Sequence, residues 1–460
     1  MTELRVAHCV GFYLPQNVGG SEVYVHDLTA ALSQRGVKST IVAATNRGFE
    51  RYEWEGTPVL RYPSHWAEVW ENSSGTSKAG LSKFQELLRE AEPDVFHLHS
   101  WTAGAGLRHL SQVAELGIPC VVTMHVPSAL CLRGSMLLKG EEPCDGHIDE
   151  KRCGQCWAMA RGLPGPLAFG LAQLPRLSLT HSSLAKVSRR TATMLSVRSL
   201  VRDQARDLKT MGSLCERVIA PSQWVCAALE ANAFPAHKIV VSRQAVAQSL
   251  VEQGARRRPR DPGGEIRIGF VGRLEHYKGV HTLLEAMAQI PRDVPIRLLV
   301  AGSGTEVPYL RALEASAEGD KRIEFLGEIS HDRLAGFLEQ IDVLAVPSKY
   351  METGPLVVLE AHAFGIPVMG ANIGGIAERI RDGVDGWLLP FDDSTAWAAV
   401  MRDVAVNRDK LALLAANARP GRTMTDVAAD MASLYREVLS DRAPGASGLP
   451  GRGSSADARS

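Results

Sequence analysis

The stretch IRIGFVGRLEHYKG, residues 266–279, begins with a mostly apolar run and ends in a turn that contains two glycines. Such a run is typical of a buried strand, so we predict a strand over Ile266–Val271. Similar short runs follow it, with helical patterns between them, at Arg297–Ala301, Ile323–Leu326, Val343–Val346 and Pro367–Met369. This alternation predicts a parallel sheet with helices on both faces.

The first half of the chain shows the same alternation. Strands are expected at Arg5–Val10, Ser39–Ala43, Val95–Leu98, Cys120–Thr123, Val218–Ala220 and Ile239–Val241, and a helix at Ser21–Arg35. A turn-rich, basic segment at residues 254–264 separates the two runs. The predicted fold class is therefore α/β, with two Rossmann-like domains over residues 1–250 and 265–420.

Two segments fall outside the alternation. Residues 126–215 break it and are expected to form a mostly helical insertion in the first domain. A final amphipathic helix is predicted within residues 424–441, and the Gly-, Ser- and Pro-rich tail over 443–460 is expected to be disordered.

The composition excludes several classes of protein. The 460 residues are 45% hydrophobic and 22% charged, which is ordinary for a globular protein and wrong for a disordered or fibrous chain. Lys+Arg and Asp+Glu both number 51, so nothing draws the whole chain to nucleic acid. The start, MTELRVAHCV, has no apolar signal region, and no stretch of eighteen apolar residues occurs. We expect a cytoplasmic protein.

The loop after Ile266–Val271 carries two cations at the carboxyl end of a predicted strand, where open α/β sheets bind ligands. Gly272 and Arg273 begin this loop and Lys278 ends it. A guanidinium and an ammonium five residues apart suit a diphosphate. A pair of solvated loop cations is the alternative, but the strand-end position favours the binding site.

A second loop carries two carboxylates, Glu352 and Glu360, separated by seven residues. Gly354, Pro355 and Leu356 between them open a predicted helix, so that Glu360 lies about two turns along it. A carboxylate accepts hydrogen bonds from a pair of sugar hydroxyls. Both groups are therefore expected to flank one ligand, rather than to lie on a solvated helix face.

Glycines and histidines mark further strand ends in both halves. Gly19, Gly20 and Glu22 stand where a first helix begins, which suits either an anion site or an ordinary Ser-capped turn. Gly374-Gly375 with Glu378 repeats this pattern in the second domain. Three histidines follow predicted strands, and His125 is better placed than His97 and His99 to donate a hydrogen bond or move a proton.

Together these motifs resemble glycosyltransferase family 4, retaining enzymes of the GT-B fold. The resemblance rests on GGSE (residues 19–22), GFVGRLEHYKG (269–279), PSKYMETGPLVVLEAHAFGIPV (347–368) and IGGIAERIRDGVDGWLL (373–389). It covers nearly the whole chain, and residues 126–215 are the least typical part. It implies a cleft between the two domains and a C-terminal helix that crosses back onto the first.

The resemblance also implies a role for each candidate residue. Arg273 and Lys278 would hold the donor diphosphate together with Gly272, and Gly19 and Gly20 would approach it from the opposite domain. Glu352 would contact the donor sugar beside Gly354, Pro355 and Leu356, and Glu360 the ribose. His125 would lie against the sugar, as a catalytic group with Glu352, Arg273 and Lys278, and Glu22 and His99 would face the acceptor.

Two features refine that expectation. Glu352 precedes Thr-Gly-Pro where such enzymes more often have Gly-Phe-Gly, which bears on the choice of donor sugar. No Asp-x-Asp occurs, which fits a catalytic centre that needs no metal or other cofactor.

The predicted function is transfer of a sugar from a UDP-, GDP- or ADP-sugar to a glycan or lipid-linked acceptor, in polysaccharide or glycoconjugate synthesis. A nucleotide-sugar epimerase or hydrolase on the same scaffold is the alternative. A dinucleotide oxidoreductase is disfavoured, because Val307 replaces the third glycine after Gly302 and Gly304. A non-catalytic binding protein is disfavoured by the complete set of candidate residues.

The insertion carries two further patterns. Cys131, Cys144, Cys153 and Cys156 form C-x12-C-x8-C-x2-C, which favours a structural zinc site over unconnected thiols, with His147 as a substitute ligand. Arginines at 189, 190, 198, 202 and 206 suggest peripheral contact with an anionic membrane, although Asp203 and Asp207 weaken it. A solvated helix face is the plainer interpretation.

Overall fold

A computed structural model describes residues 3–16, 19–64, 78–99, 101–102, 104–175, 193–257 and 264–442. In the first domain, apolar strands build an eight-stranded sheet in the order β10-β9-β6-β5-β1-β2-β4-β3. It is parallel except for the β3–β4 pair. The strands, with the hairpin β7–β8 outside the sheet, are β1 (Leu4–Val10), β2 (Val37–Thr45), β3 (Glu50–Trp54), β4 (Thr57–Pro63), β5 (Val95–Leu98), β6 (Cys120–Thr123), β7 (Leu137–Leu138), β8 (Glu142–Pro143), β9 (Arg217–Ala220) and β10 (Ile239–Val241).

Helices cover the faces of this sheet and build the insertion. They are α1 (Gly20–Ser33), α2 (Lys78–Ala91), α3 (Leu107–Glu115), α4 (Glu150–Met159), α5 (Gly165–Gln173), α6 (Val197–Leu214) and α7 (Gln223–Ala231), with α8 (Gln248–Ala255) leading into the second domain. Strands β1, β5 and β6 are largely buried on both faces, as their mostly apolar sequences favour.

The second domain is built on a six-stranded, fully parallel sheet in the order β13-β12-β11-β14-β15-β16. Its strands are β11 (Ile266–Val271), β12 (Ile296–Ala301), β13 (Ile323–Gly327), β14 (Val343–Val346), β15 (Val368–Ala371) and β16 (Gly386–Leu389). Its helices are α9 (Val280–Gln289), α10 (Val307–Ala317), α11 (Leu334–Leu338), α12 (Leu356–Ala363), α13 (Gly374–Ala377), α14 (Ser394–Val406) and α15 (Arg408–Asn417).

Both sheets reverse their strand order at one point, between β1 and β5 in the first and between β11 and β14 in the second. A crevice opens at such a point beyond the carboxyl ends of the strands. The loops after β1, β11 and β14 carry the predicted site motifs, so the topology alone directs those motifs toward ligand-binding positions.

The last helix, α16 (Met424–Asp441), packs on α1 and belongs to the core of the first domain. Thr423 and Asp426 form a capping box at its start, and Val427, Met431 and Val438 bury its apolar face. Its Tyr435 hydroxyl lies 2.6 Å from His97 Nδ1. The chain therefore crosses back after the second domain, and the predicted fold class is confirmed.

Over its described residues, 126–175 and 193–215, the insertion contains helices α4, α5 and α6 and the β7–β8 hairpin. In α6, Arg198 binds Glu150 and Arg206 pairs with Asp203 and Asp207. Arg189, Arg190, part of the 254–264 segment and the 443–460 tail lie outside the described residues. No helix in the described part of the chain has both the length and the apolarity needed to cross a bilayer.

Candidate active site

The loops after β11 and β14 meet at a pair of oppositely charged side chains. Lys278 Nζ lies 2.8 Å from Glu352 Oε1, and Ser348 donates its hydroxyl to the same oxygen over 2.5 Å. Burial lowers the pKa of Lys278, but the Glu352 carboxylate and the Tyr350 hydroxyl outweigh it, so that the pKa is raised and the ammonium stays charged. Two predicted site residues, 74 positions apart, are thus brought together.

Arg273 lies exposed at the start of the same loop and forms no ion pair with any described residue. Its guanidinium carbon is 5.5 Å from the centre of the Tyr277 ring. Its charge also acts across the cleft on Glu22, whose pKa burial raises and Arg273 lowers. The arginine is therefore available to an anion between the two domains.

The GGSE loop approaches this region from the first domain. A side-chain carbon at Gly20 would lie 3.9 Å from Leu356 Cδ1, so the start of α1 faces the start of α12. A carbon at Gly19 would lie 2.5 Å from Glu22 Oε2, because that carboxylate turns back to accept from the backbone N–H of Gly19. Glu22, expected to face the acceptor, caps α1. The two helix N-termini give the cleft further positive potential.

Glu360 is buried within α12, with 6% of its surface exposed. Burial first, and the nearby Asp27 of α1 second, raise the pKa of Glu360 to about 8. The structure thus places Glu360 near Asp27 of α1, and its raised pKa favours the protonated carboxyl at neutral pH.

The segment between the two glutamates also contacts the first domain. Thr353 donates its hydroxyl to the backbone oxygen of His125 over 2.6 Å. A side-chain carbon at Gly354 would lie 2.2 Å from Gln244 Oε1, so any larger residue would displace the Gln244 amide. Pro355 caps α12 and fixes the extended entry to Leu356.

His125 ends a row of buried histidines that runs behind the cleft. Its Nε2 is 3.2 Å from His99 Nδ1, His99 Nε2 is 3.0 Å from His8 Nδ1, and His8 Nε2 is 3.3 Å from Ser39 Oγ. Burial lowers the pKa of both His8 and His125 to about 3. Neutral rings allow one N–H each, so the row needs a consistent direction.

Gln244 sets that direction. Its Nε2 lies 3.2 Å from His125 Nδ1 and can only donate, so His125 donates to His99, His99 to His8, and His8 to Ser39. His99, predicted to face the acceptor, is fully buried behind His125. Both ring nitrogens of His125 are already engaged, which makes it a neutral positioning group rather than a ready proton carrier.

Two other glycine loops have structural roles. Gly375 donates its backbone N–H to Glu352 O over 2.6 Å, and Glu378 accepts from the backbone N–H groups of Gln223 and Trp224 at the start of α7. A side-chain carbon at Gly302 would lie 1.9 Å from Gly272 O, so this loop packs against the Arg273 loop. The Gly302–Gly304 motif thus shapes the Arg273 loop, which removes the basis of the oxidoreductase alternative.

Sequence reasoning placed Ser348 and Thr353 in a candidate loop but gave no role to them, to Tyr350 or to Gln244. Ser348 lies two residues beyond the end of β14, so its strand-end position was an available signal. Gln244 follows β10 by three residues, but only the folded chain shows that it reaches both His125 and Gly354.

The comparisons with known proteins agree with this geometry. The sequence model described as "Glycosyl transferases group 1" matches residues 252–420, and that of "Glycosyltransferase Family 4" matches residues 18–142. The chain is 28% identical over 407 residues to the D-inositol 3-phosphate glycosyltransferase of Pseudarthrobacter chlorophenolicus, covering 83% of this chain and 81% of that one. A 151-residue region, 33% of this chain and 36% of the relative, is 36% identical to the glycogen synthase of Mycobacterium tuberculosis.

Solved structures show the same architecture. Anabaena HepE in complex with UDP matches with a TM-score of 0.61 at 16% identity, covering 95% of this chain and all of that one. Sucrose-phosphate synthase from Thermosynechococcus elongatus matches with a TM-score of 0.64 at 18% identity, covering 95% and 99%.

Two Rossmann-like domains, a crossing C-terminal helix and a cleft lined by these motifs define a nucleotide-sugar-dependent glycosyltransferase of the GT-B fold. Within that class, the chain belongs to glycosyltransferase family 4.

Proposed function

We propose that this glycosyltransferase moves a sugar from a nucleoside-diphosphate sugar to a glycan or lipid-linked acceptor with retention of anomeric configuration, in polysaccharide or glycoconjugate synthesis. The observation that carries the proposal is the Lys278–Glu352 pair, 2.8 Å apart, at the strand-order reversal of the second sheet. UDP in the HepE complex, and ADP in a complex of Arabidopsis starch synthase IV with a TM-score of 0.59, support a nucleotide donor.

The charges around the cleft suit the departure of a diphosphate. As the bond from the anomeric carbon to the diphosphate oxygen breaks, the electron pair stays on that oxygen and negative charge grows there. Arg273 and Lys278 supply two positive charges, and the N-terminus of α12 adds backbone N–H groups. We propose that these groups take the role that a divalent ion has in other transferases, so that catalysis requires no metal.

Retention fits attack from the face that the diphosphate leaves. The Glu352 carboxylate is held by Lys278 and Ser348, which favours contact with sugar hydroxyls over attack on the anomeric carbon. The acceptor hydroxyl would then bond to the anomeric carbon while its proton passes to a diphosphate oxygen. His125, neutral and fixed by His99 and Gln244, would position the sugar.

The proposed acceptor class rests on exposed apolar side chains of α5. The apolar side chains of Leu167 and Phe169 on α5 are 62% and 55% exposed, and they offer a surface to a lipid-linked acceptor or to the inner face of a membrane. If anionic vesicles bind the wild-type protein but not the variant L167S/F169S, a lipid-linked acceptor is supported. If vesicles do not bind the wild-type protein, a soluble glycan is favoured as the acceptor.

The donor site is tested by thermal stabilisation with UDP, GDP and ADP. We expect one of them to raise the Tm of the wild type, because a ligand that binds only the folded state stabilises it. Arg273→Ala should lose most of that shift, since it removes an unpaired cation from the cleft. Arg311→Ala, an exposed arginine on α10, is the matched control and should keep it.

An unchanged nucleotide shift in Arg273→Ala contradicts this donor site. With the active donor and acceptor, NMR of the first product should show the donor's anomeric configuration, and inversion contradicts the mechanism. Donor turnover at a rate independent of acceptor would favour the hydrolase alternative.

A further inference from the structure

Four cysteines of the insertion line one cavity. Cys131, Cys144, Cys153 and Cys156 surround a space of about 30 Å³, together with His147. All four are free thiols, and Cys156 is buried. A space of this size holds a water-sized group, which is enough for a metal ion.

Three separate structures bring the cysteines to this cavity. Cys131 follows the short helix Pro127–Ala129 and enters a turn closed by the Gly134 N–H on its carbonyl. Cys144 follows the β7–β8 hairpin. Cys153 and Cys156 lie one turn apart on α4, so both face the cavity.

Neighbouring groups fix the positions of the cysteines around the cavity. Cys156 Sγ accepts from the backbone N–H of Lys139 over 3.1 Å and from Arg133 Nη1 over 3.3 Å. The Cys156 thiol in turn donates to Leu137 O over 3.6 Å, so that its sulfur is fixed at the wall of the cavity. Arg152 binds Asp145 through both carboxylate oxygens, at 2.8 and 2.6 Å, and thereby ties the Cys144 loop to α4.

His147 is a weaker candidate ligand. Its Nδ1 donates to Ala231 O over 3.0 Å, which leaves Nε2 as an acceptor, but the residue is exposed at the rim of the cavity.

We propose that Cys131, Cys144, Cys153 and Cys156 bind one structural Zn(II), as tetrahedral thiolate sites do. Within the described chain, three ligand atoms lie within 4.8 Å of one another only at His8, His97 and His99. Those ring nitrogens are all hydrogen-bonded to neighbours. The four sulfurs must therefore close on the ion by rotation about χ1, and zinc binding releases the thiol protons.

The metal would stabilise a contact beside the donor site. Ser135 O, between Cys131 and Cys144, accepts the backbone N–H of Met351 over 3.0 Å, and Met351 packs into the core of the first domain. Met351 directly precedes Glu352. Zinc would thus fix the insertion against the sugar-binding loop without taking part in the chemistry.

Metal analysis of the full-length, untagged protein tests the proposal. We expect about one zinc per chain, and titration of the thiols with a mercurial reagent should release it. After cobalt substitution, the absorption spectrum should be that of a tetrahedral thiolate site. Cys144→Ser and Cys153→Ser should each lose at least tenfold in zinc affinity. Cys226→Ser, a free cysteine on α7, is the control and should keep full occupancy.

Several results would overturn the site. The first is wild-type protein that neither contains zinc nor binds cobalt. The second is a double variant, C144S/C153S, that still binds zinc. The third is visible absorption together with acid-labile sulfide, which would identify an iron–sulfur cluster. The mercurial titration needs no variant, so a misfolded variant does not obscure the outcome. If the protein contains no zinc but nucleotide still raises its Tm, the zinc proposal is refuted and the proposed glycosyltransferase function is not.

Discussion

The protonation of Glu360 gives the first prediction at the scale of single residues. The pKa of its carboxyl is raised to about 8, so the stability that its protonated form provides is complete below pH 4.5 and is lost as pH rises through 8. Glu360→Gln is permanently neutral. Its stability relative to the wild type should grow with pH between about 5 and 8, by up to about 1.4 kcal/mol per pH unit.

Urea unfolding at a series of pH values measures this difference. Glu339→Gln, at an exposed position after α11, is the control and should follow the wild type. Parallel curves for Glu360→Gln and the wild type would show that Glu360 is already ionised in the fold.

The buried histidines predict the opposite dependence. Burial lowers the pKa of His8 to about 3, so its unfolded form binds a proton between pH 6.5 and 3 while the folded form does not. Stability is therefore lost as pH falls through this range. Asn at position 8 can still accept from His99 but cannot be protonated, so His8→Asn should reduce the acid-side slope by up to about 1.4 kcal/mol per pH unit.

Urea unfolding between pH 7.5 and 4 also measures that slope. His237→Asn removes an exposed histidine and should leave it unchanged. Identical slopes for His8→Asn and the wild type would mean that His8 is protonated inside the row.

Single residues also show where sequence reasoning stopped. Arg273, Lys278 and Glu352 could be placed at one site because each follows a strand, and a parallel sheet collects those ends along one edge. The pairing of Lys278 with Glu352 could not be predicted, since it depends on two loops turning toward each other. The capping by Glu22 and the depth of His99 likewise depend on contacts made only in the folded chain.

At the scale of elements, α7 depends on the opposite domain for its cap. Ser222 stands at its N-cap without a side-chain hydrogen bond, and Glu378 accepts from Gln223 N and Trp224 N, each over 2.8 Å. Glu378→Ala should lower the free energy of unfolding by about 1–2 kcal/mol, because an N-cap with a charged acceptor is lost.

Denaturant unfolding measures this loss, and Glu378→Gln, which keeps one acceptor oxygen, should lose less. Small-angle scattering should show a larger radius of gyration for the alanine variant, because the contact also joins the domains. If the alanine variant has the stability and the radius of gyration of the wild type, the contact does not stabilise the protein in solution.

The elements themselves were largely predictable. Val95–Leu98, Cys120–Thr123, Ile239–Val241, Ile266–Val271 and Val343–Val346 have the predicted bounds. The strands Glu50–Trp54 and Thr57–Pro63 escaped prediction because they form an edge hairpin with charged and polar side chains. Gly386–Leu389 escaped because a four-residue run after a turn carries too little periodicity.

At the scale of the whole molecule, the domains touch through the same loop that binds the donor in the proposed function. Met351 contacts Ser135, Thr353 contacts His125, and Trp224 donates its indole N–H to Glu352 O over 2.9 Å. Such contacts are invisible in either half of the sequence alone, since each joins residues more than a hundred positions apart. Separation of the domains would therefore also move the residues proposed to hold the sugar.

The path of α16 limits how this protein can be divided. Its Met431, Tyr435 and Val438 fill a hydrophobic core with β1 and α1, although they follow the whole second domain in sequence. A polypeptide released by the ribosome before residue 424 would leave that core open to water and prone to aggregation. A stable first domain on its own would need this helix grafted behind residue 250, because the natural chain supplies it only after the whole second domain.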